Sequence, residues 1–255
     1  MNAINKMLLL VMMSVLAGCA SNIKINKEMT SREKFEVCKQ MIEKRKFFQA
    51  TTELSKLRYE MMGTDIIDQV IYALAEAYRL NKDYPEALVN YQVISKDYPN
   101  SPLAIIAQFK TGICYQALSQ KAELDQEYTD KAIQTFQDLI ESNSQSEYED
   151  SSRYQLKKLN NKLAEKDFKN GLLYYKINQY KSAEIYFKEV ILNYFESDWV
   201  DSAFYYLALT YLKLDKKDDA EVLLQRLIHE FKQSQYLKKA EIQLQKIAAE
   251  KNKSS

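Results

Sequence analysis

From about residue 30 to residue 251 the chain alternates apolar and polar positions with a period of three to four, which predicts amphipathic helices throughout. Five segments align on an alanine: Ala50, Ala87, Ala132, Ala183 and Ala220. Four residues after each stands a large apolar side chain, Leu54, Tyr91, Phe136, Phe187 or Leu224. Three further on comes another, Leu57, Ile94, Leu139, Val190 or Leu227. These spacings put all three on one stripe of a helix, with the alanine leaving room for a close neighbour. Upstream lies a second pattern, a small residue followed three positions later by tyrosine: Ala75 and Tyr78, Gly112 and Tyr115, Gly171 and Tyr174, Ala208 and Tyr211. It marks a first helix for each alanine-bearing second helix. In the first segment Cys38 and Met41 hold those places, a drifted copy.

Each junction between helix pairs carries a serine: Ser101, Ser146, Ser197 and Ser234, with Thr64 as a weaker counterpart. A serine suits a helix N-cap, and Pro102, Glu147 and Asp198 then suit the first helical position. Leu103, Tyr148, Trp199 and Tyr236, two places after each serine, are placed to pack back on the preceding pair. Asp83-Tyr84-Pro85 and Asn178-Gln179-Tyr180 supply turns within pairs. From cap to alanine the distance is 23 residues for Thr64–Ala87 and Ser197–Ala220, but 31 for Ser101–Ala132 and 37 for Ser146–Ala183. The third pair therefore carries an insertion around Gln120–Glu127, either a lengthened loop or a helix extension. No Gly or Pro interrupts Glu147 to Asn170, so the fourth pair is predicted to open with a helix of about thirty residues, roughly 45 Å long.

The order small-x-x-Tyr, then Ala-x-x-x-Phe, resembles the tetratricopeptide repeat. The fold implied is all-α: a tetratricopeptide-repeat superhelix of five helix pairs plus a C-terminal capping helix over Gln235–Lys251. The rarity of breakers agrees, with four glycines and three prolines in 255 residues.

Lys6, the apolar run Met7–Val15 and then Leu16-Ala17-Gly18-Cys19 read as an export leader too short to span a bilayer permanently. The last four residues resemble a bacterial lipobox, which implies cleavage before Cys19 and its acylation. Several acyl chains would make the anchor stable. Ala20, where Asp would retain the chain in the inner membrane, favours the outer one. The organisation predicted is residues 1–18 as lipoprotein signal peptide, 19–31 as lipidated N-terminus and linker, and 32–146 as N-terminal repeats. Residues 147–251 hold the long connecting helix, C-terminal repeats and capping helix, and 252–255 a disordered tail. A linker of this length reaches at most about 40 Å, which keeps the first repeat close to the bilayer.

Without the leader, 35 basic residues balance 35 acidic ones. That excludes the basic excess of a nucleic-acid binder. Cys38 and Cys114 show no metal-type spacing and read as small core hydrophobes, unlinked to each other. The one histidine, His229, has no second histidine to form a metal cluster or a proton relay, and reads as solvated. No glycine-rich loop could cradle a phosphate. The residues thus predict no catalytic group, no metal and no cofactor.

Repeats behind a lipobox, with an extended third pair and a long opening helix in the fourth, resemble the BamD-like (YfiO-type) outer-membrane lipoproteins of the β-barrel assembly machinery. The carriers are Asp97–Pro102, Leu163–Phe168 and Tyr174-Tyr175 to Tyr194. Phe195, where Tyr-Pro is usual, departs from the pattern. The resemblance implies a scaffold that is lipid-anchored in the outer membrane and faces the periplasm. It would bind the β-barrel insertase through C-terminal repeats, together with accessory lipoproteins, and meet unfolded outer-membrane proteins through N-terminal ones. The alternative is another periplasmic repeat lipoprotein that coordinates cell-wall synthesis or envelope constriction. The repeat type lines its groove with first-helix residues, here Phe35, Lys39, Tyr72, Arg79, Phe109 and Gln116. Phe35, Tyr72 and Phe109 are register equivalents. With Lys39 and Arg79 they would suit a peptide ending in an aromatic residue and a carboxylate; the other reading is that the aromatics pack between helices.

Overall fold

The computed structural model describes residues 25–254, so Cys19 and the leader lie outside the described residues. Among these residues the chain is all-helical. Five pairs form in order: α1 (Ser31–Glu43) with α2 (Phe47–Glu60), α3 (Ile67–Leu80) with α4 (Tyr84–Asp97), α5 (Ala104–Leu118) with α6 (Glu127–Ser142), α7 (Glu149–Lys176) with α8 (Tyr180–Asn193), and α9 (Val200–Lys213) with α10 (Lys217–Glu230). Helix α11 (Leu237–Ser254) closes the chain and runs past Lys251. The chain divides into two compact units, one ending at Ala107 and one beginning at Gln108, inside α5. The repeat spacing places its own division at 146/147.

The alanine register is the core. Ala50, Ala87, Ala132, Ala183 and Ala220 are fully buried, as are the five apolar residues four positions on. The small first-helix positions have a steric reason. A Cβ on Gly112 would lie 2.6 Å from the Phe136 ring, and one on Gly171 2.7 Å from that of Phe187. Glycine stands where a phenylalanine ring presses on the first helix; Cys38, Ala75 and Ala208, all fully buried, hold the place where Leu54, Tyr91 or Leu224 follows.

Four of the five pairs turn the same way. Arg45, Lys82, Asn178 and Asp215 have φ of 58°, 65°, 62° and 59°. The residue after each donates its N–H back to the first helix: Lys46 to Met41, Asp83 to Tyr78, Gln179 to Tyr174 and Lys216 to Tyr211, at 2.8 to 2.9 Å. This closes the helix end with a left-handed residue that is usually glycine. Left-handed backbone costs a non-glycine residue about 1–2 kcal/mol, partly offset by the larger chain entropy glycine loses. Lys82→Gly and Asp215→Gly are each expected to stabilise by about 0.5–1 kcal/mol, read as a higher urea midpoint with an unchanged slope. The Asn178 turn stands to gain least, since asparagine tolerates this conformation.

The helices after the junctions begin later than predicted. Ser101 Oγ accepts from the Leu103 N–H at 3.0 Å, Ser197 from Trp199 at 3.4 Å and Ser234 from Tyr236 at 3.1 Å. The serine carbonyls then accept from Ala104, Val200 and Leu237, so each serine opens a tight turn before the α-helix. Pro102 and Asp198 lie in that turn. Glu147 lies in the corresponding turn after Ser146, whose hydroxyl has no partner among the described residues. There Gln145 (φ 72°) donates its N–H to the Glu149 carboxylate at 2.8 Å, and Arg153 pairs with the same group. Those two contacts hold the Glu149 carboxyl below its usual range.

The long helix α7 has 28 residues, close to the expected length. The insertion in the third pair is an ordered loop over residues 119–126. Gln126, nearly fully buried, donates from Nε2 to the carbonyls of Lys121 at 2.8 Å and Leu124 at 2.9 Å, and accepts from Thr129 at 2.7 Å. Helix α7 fastens it from outside: Lys162 Nζ donates to the Ser119 and Thr129 hydroxyls, and Lys169 pairs with Glu123.

Cys38 and Cys114 are fully buried thiols. Burial, helped by the Glu53 charge, pushes the Cys38 thiol up to about 12. Maleimide at neutral pH is expected to leave both thiols intact in the folded chain and to modify both in urea, as mass spectrometry would show.

Candidate functional site

The six groove residues divide between the units, and each unit is described by itself. In the first, Phe35 is a core side chain, and Lys39 Nζ lies 5.1 Å from its ring centroid while pairing with Glu36 at 2.7 Å. Tyr72 and Arg79 lie two turns apart on α3 and belong to one network. The Tyr72 ring meets Tyr91 edge-on at 5.8 Å, the Tyr91 hydroxyl donates to Glu76, and Glu76 holds Arg79 through two contacts, 2.7 and 3.1 Å. Glu76 keeps the guanidinium firmly protonated despite partial burial. Arg79 therefore carries a bound carboxylate already. In the second unit Phe109 is half-buried, 5.7 Å from Phe136 and 5.2 Å from Tyr148. Gln116 is half-buried on α5, two turns from Phe109.

The aromatic register continues where the sequence reading stopped. Phe168 and Tyr205 stand three residues before Gly171 and Ala208, as Phe109 does before Gly112. Their geometry repeats that of Phe109. Phe168 lies 5.7 Å from Phe187 and 5.2 Å from Trp199, and Tyr205 stacks on Tyr236 at 4.7 Å. In the second unit each first-helix aromatic thus fills the seam between its own pair and the junction aromatic that follows. The spacing alone was enough to find Phe168 and Tyr205.

Asn161 is a second residue the sequence did not single out. From α7 its side chain accepts from the Asp198 N–H at 2.9 Å and donates to the Asp198 carboxylate at 2.8 Å. In the first unit Asp68 does related work, accepting from the Ser101 hydroxyl. Among the described residues no group of His, Cys, Asp and Glu is arranged to hold a metal ion, and no helix is long and apolar enough to cross a membrane.

The model of a protein family described as "YfiO: Outer membrane lipoprotein" matches residues 27–223, from just before α1 into α10. The chain belongs to the YfiO family. Two relatives, each called outer membrane protein assembly factor BamD, are similar. The one from Rickettsia prowazekii is 25% identical over 181 residues, covering 71% of this chain and 72% of that protein. The one from Caulobacter vibrioides is 26% identical over 145 residues, covering 57% of this chain and 48% of that protein, so the match spans about half of the Caulobacter relative. Among solved structures, the TPR2AB-domain:pHSP90 complex of yeast Sti1 shares 15% identity at a TM-score of 0.45, over 85% of this chain and 82% of that one. A putative kinesin light chain of Podosopora anserina with near-identical repeats shares 15% at 0.40, over 79% and 96%.

Proposed function

We propose that the chain is a lipid-anchored, periplasmic scaffold of outer-membrane β-barrel assembly. The family match over residues 27–223 carries this reading, and the two BamD relatives support it. The fold offers stacked helix faces for protein partners. In this role its action is non-catalytic, positioning a barrel insertase and unfolded outer-membrane proteins near the membrane. Acylation at Cys19 would fix that position; a Cys19→Ser chain that still sediments with membranes would rule the anchor out.

Substrate contact is proposed in each unit by itself, at Lys39, Tyr72 and Arg79 of the first and at Phe109 and Gln116 of the second, whose side chains keep part of their surface accessible; buried Phe35 supports Lys39 from beneath. Mild detergent extraction of a tagged chain is expected to bring down a β-barrel protein with periplasmic repeats and accessory lipoproteins. Recovery of cell-wall synthases in their place would overturn the assembly role.

A further inference from the structure

Helix α8 turns outward a face that the fold leaves unused. Ile185 and Leu192 are 66% and 74% exposed. Glu189 lies between them, about one turn from each, on the same side. A hollow of about 470 Å³ adjoins this stripe, lined by Asp167 and Tyr174 of α7 and by Ser182, Ile185, Tyr186 and Glu189 of α8. The Tyr174 and Tyr186 rings form one wall, stacked with centroids 5.4 Å apart and planes at 9°.

The other wall is negative and uncompensated. Neither Asp167 nor Glu189 forms an ion pair among the described residues. Nearby cations are engaged elsewhere: Lys188 pairs with Glu184 at 2.7 Å, and Lys169 with Glu165 and Glu123. Among the described residues Glu189 accepts only from the Asn193 side chain, and Lys166 acts on Asp167 from a distance. Burial and the Glu189 charge hold the Asp167 carboxyl above its usual range. The Tyr194 hydroxyl is pushed up to about 12 by burial and by Asp167, Glu189 and Asp130.

Half-buried charge without a partner is costly. The acids alone would suit any cation. The tyrosine wall narrows the choice to one with flat faces that can lie against a ring while its edge donates to carboxylates, which is a guanidinium and not an ammonium. Ile185 and Leu192 ask for apolar neighbours on either side of it.

We propose that this surface docks an arginine of a partner protein, presented between apolar residues, with its guanidinium held by the Tyr174–Tyr186 wall and the Asp167 and Glu189 carboxylates. The proposal does not depend on the assembly role, because it concerns the chemistry of the segment bound and not the partner's identity.

Methyl spectra of the full-length chain in detergent, labelled at isoleucine and with Ile185 assigned through Ile185→Val, would follow titration with acetyl-Leu-Arg-Leu-amide. The Ile185 methyl is expected to shift saturably. The citrulline peptide, isosteric but neutral, should bind about tenfold more weakly, and the lysine peptide should also fall behind. Asp167→Asn/Glu189→Gln should lose about the same factor with its melting temperature held or raised, and Glu189→Gln alone a smaller part of it. No Ile185 shift with the arginine peptide, equal binding of the citrulline peptide, or unchanged binding by the folded double variant would each overturn the proposal.

Discussion

Replacing Phe168 by alanine is expected to destabilise the second unit by about 3–5 kcal/mol. The ring is almost wholly buried and meets Phe187, Trp199 and Tyr206 at 5.7, 5.2 and 5.7 Å. Its removal would leave a cavity walled by rings on three sides, which cannot collapse without shifting helices. Those edge-to-face and tilted contacts add to the area effect. Urea unfolding of Phe168→Ala against Phe168→Leu gives the measurement. Leucine refills most of the volume, so a loss as large as alanine's would mean that packing is not what Phe168 supplies. Phe109→Ala, starting from a half-buried ring, should cost less.

Gly171→Ala is the second large effect, with a net loss of about 1–2 kcal/mol. In an open helix the same change would stabilise by about 0.5–1 kcal/mol. Here the new Cβ would come within 2.7 and 2.8 Å of two ring carbons of Phe187, itself fully buried. Ring or helix must move. Phe187→Leu removes the obstruction, so the double variant should be more stable than the two single losses predict when added. Simple additivity in that double-mutant cycle would refute the steric account. Gly112 and Phe136 form the equivalent pair at 2.6 Å and should behave alike.

These two sites show how the sequence could be read and where it stopped. The alanine register was legible because helical spacing translates directly into one face, and all fifteen aligned core positions are buried. The glycines were seen as small positions, but the reason for glycine over alanine depends on a phenylalanine ring four residues past the aligned alanine. That correlation lies on the page once the two helices are set side by side. Helix starts after the serines were placed too early, because a carbonyl at a junction can accept from three residues on or from four, and spacing does not distinguish them.

The groove was legible as positions and not as chemistry. Arg79 reads as a free cation in sequence, yet Glu76, one turn away, takes its charge. Tyr91, from the other helix of the pair, donates its hydroxyl to the same Glu76 carboxylate. Phe35, Tyr72 and Phe109 share one register in the sequence, but burial separates them: the first is core and the other two keep an accessible edge.

The loop over residues 119–126 is held by two fasteners of different kinds. Lys169 and Glu123 meet in open solvent, where dissolved ions shield such a pair within several ångströms. Lys162 reaches two neutral hydroxyls from a partly buried place, and burial makes its ammonium easier to deprotonate than an ordinary lysine. Ionic strength acts on the outer fastener and leaves the inner one, while alkali acts on the inner one first. One short segment thus answers brine and base separately.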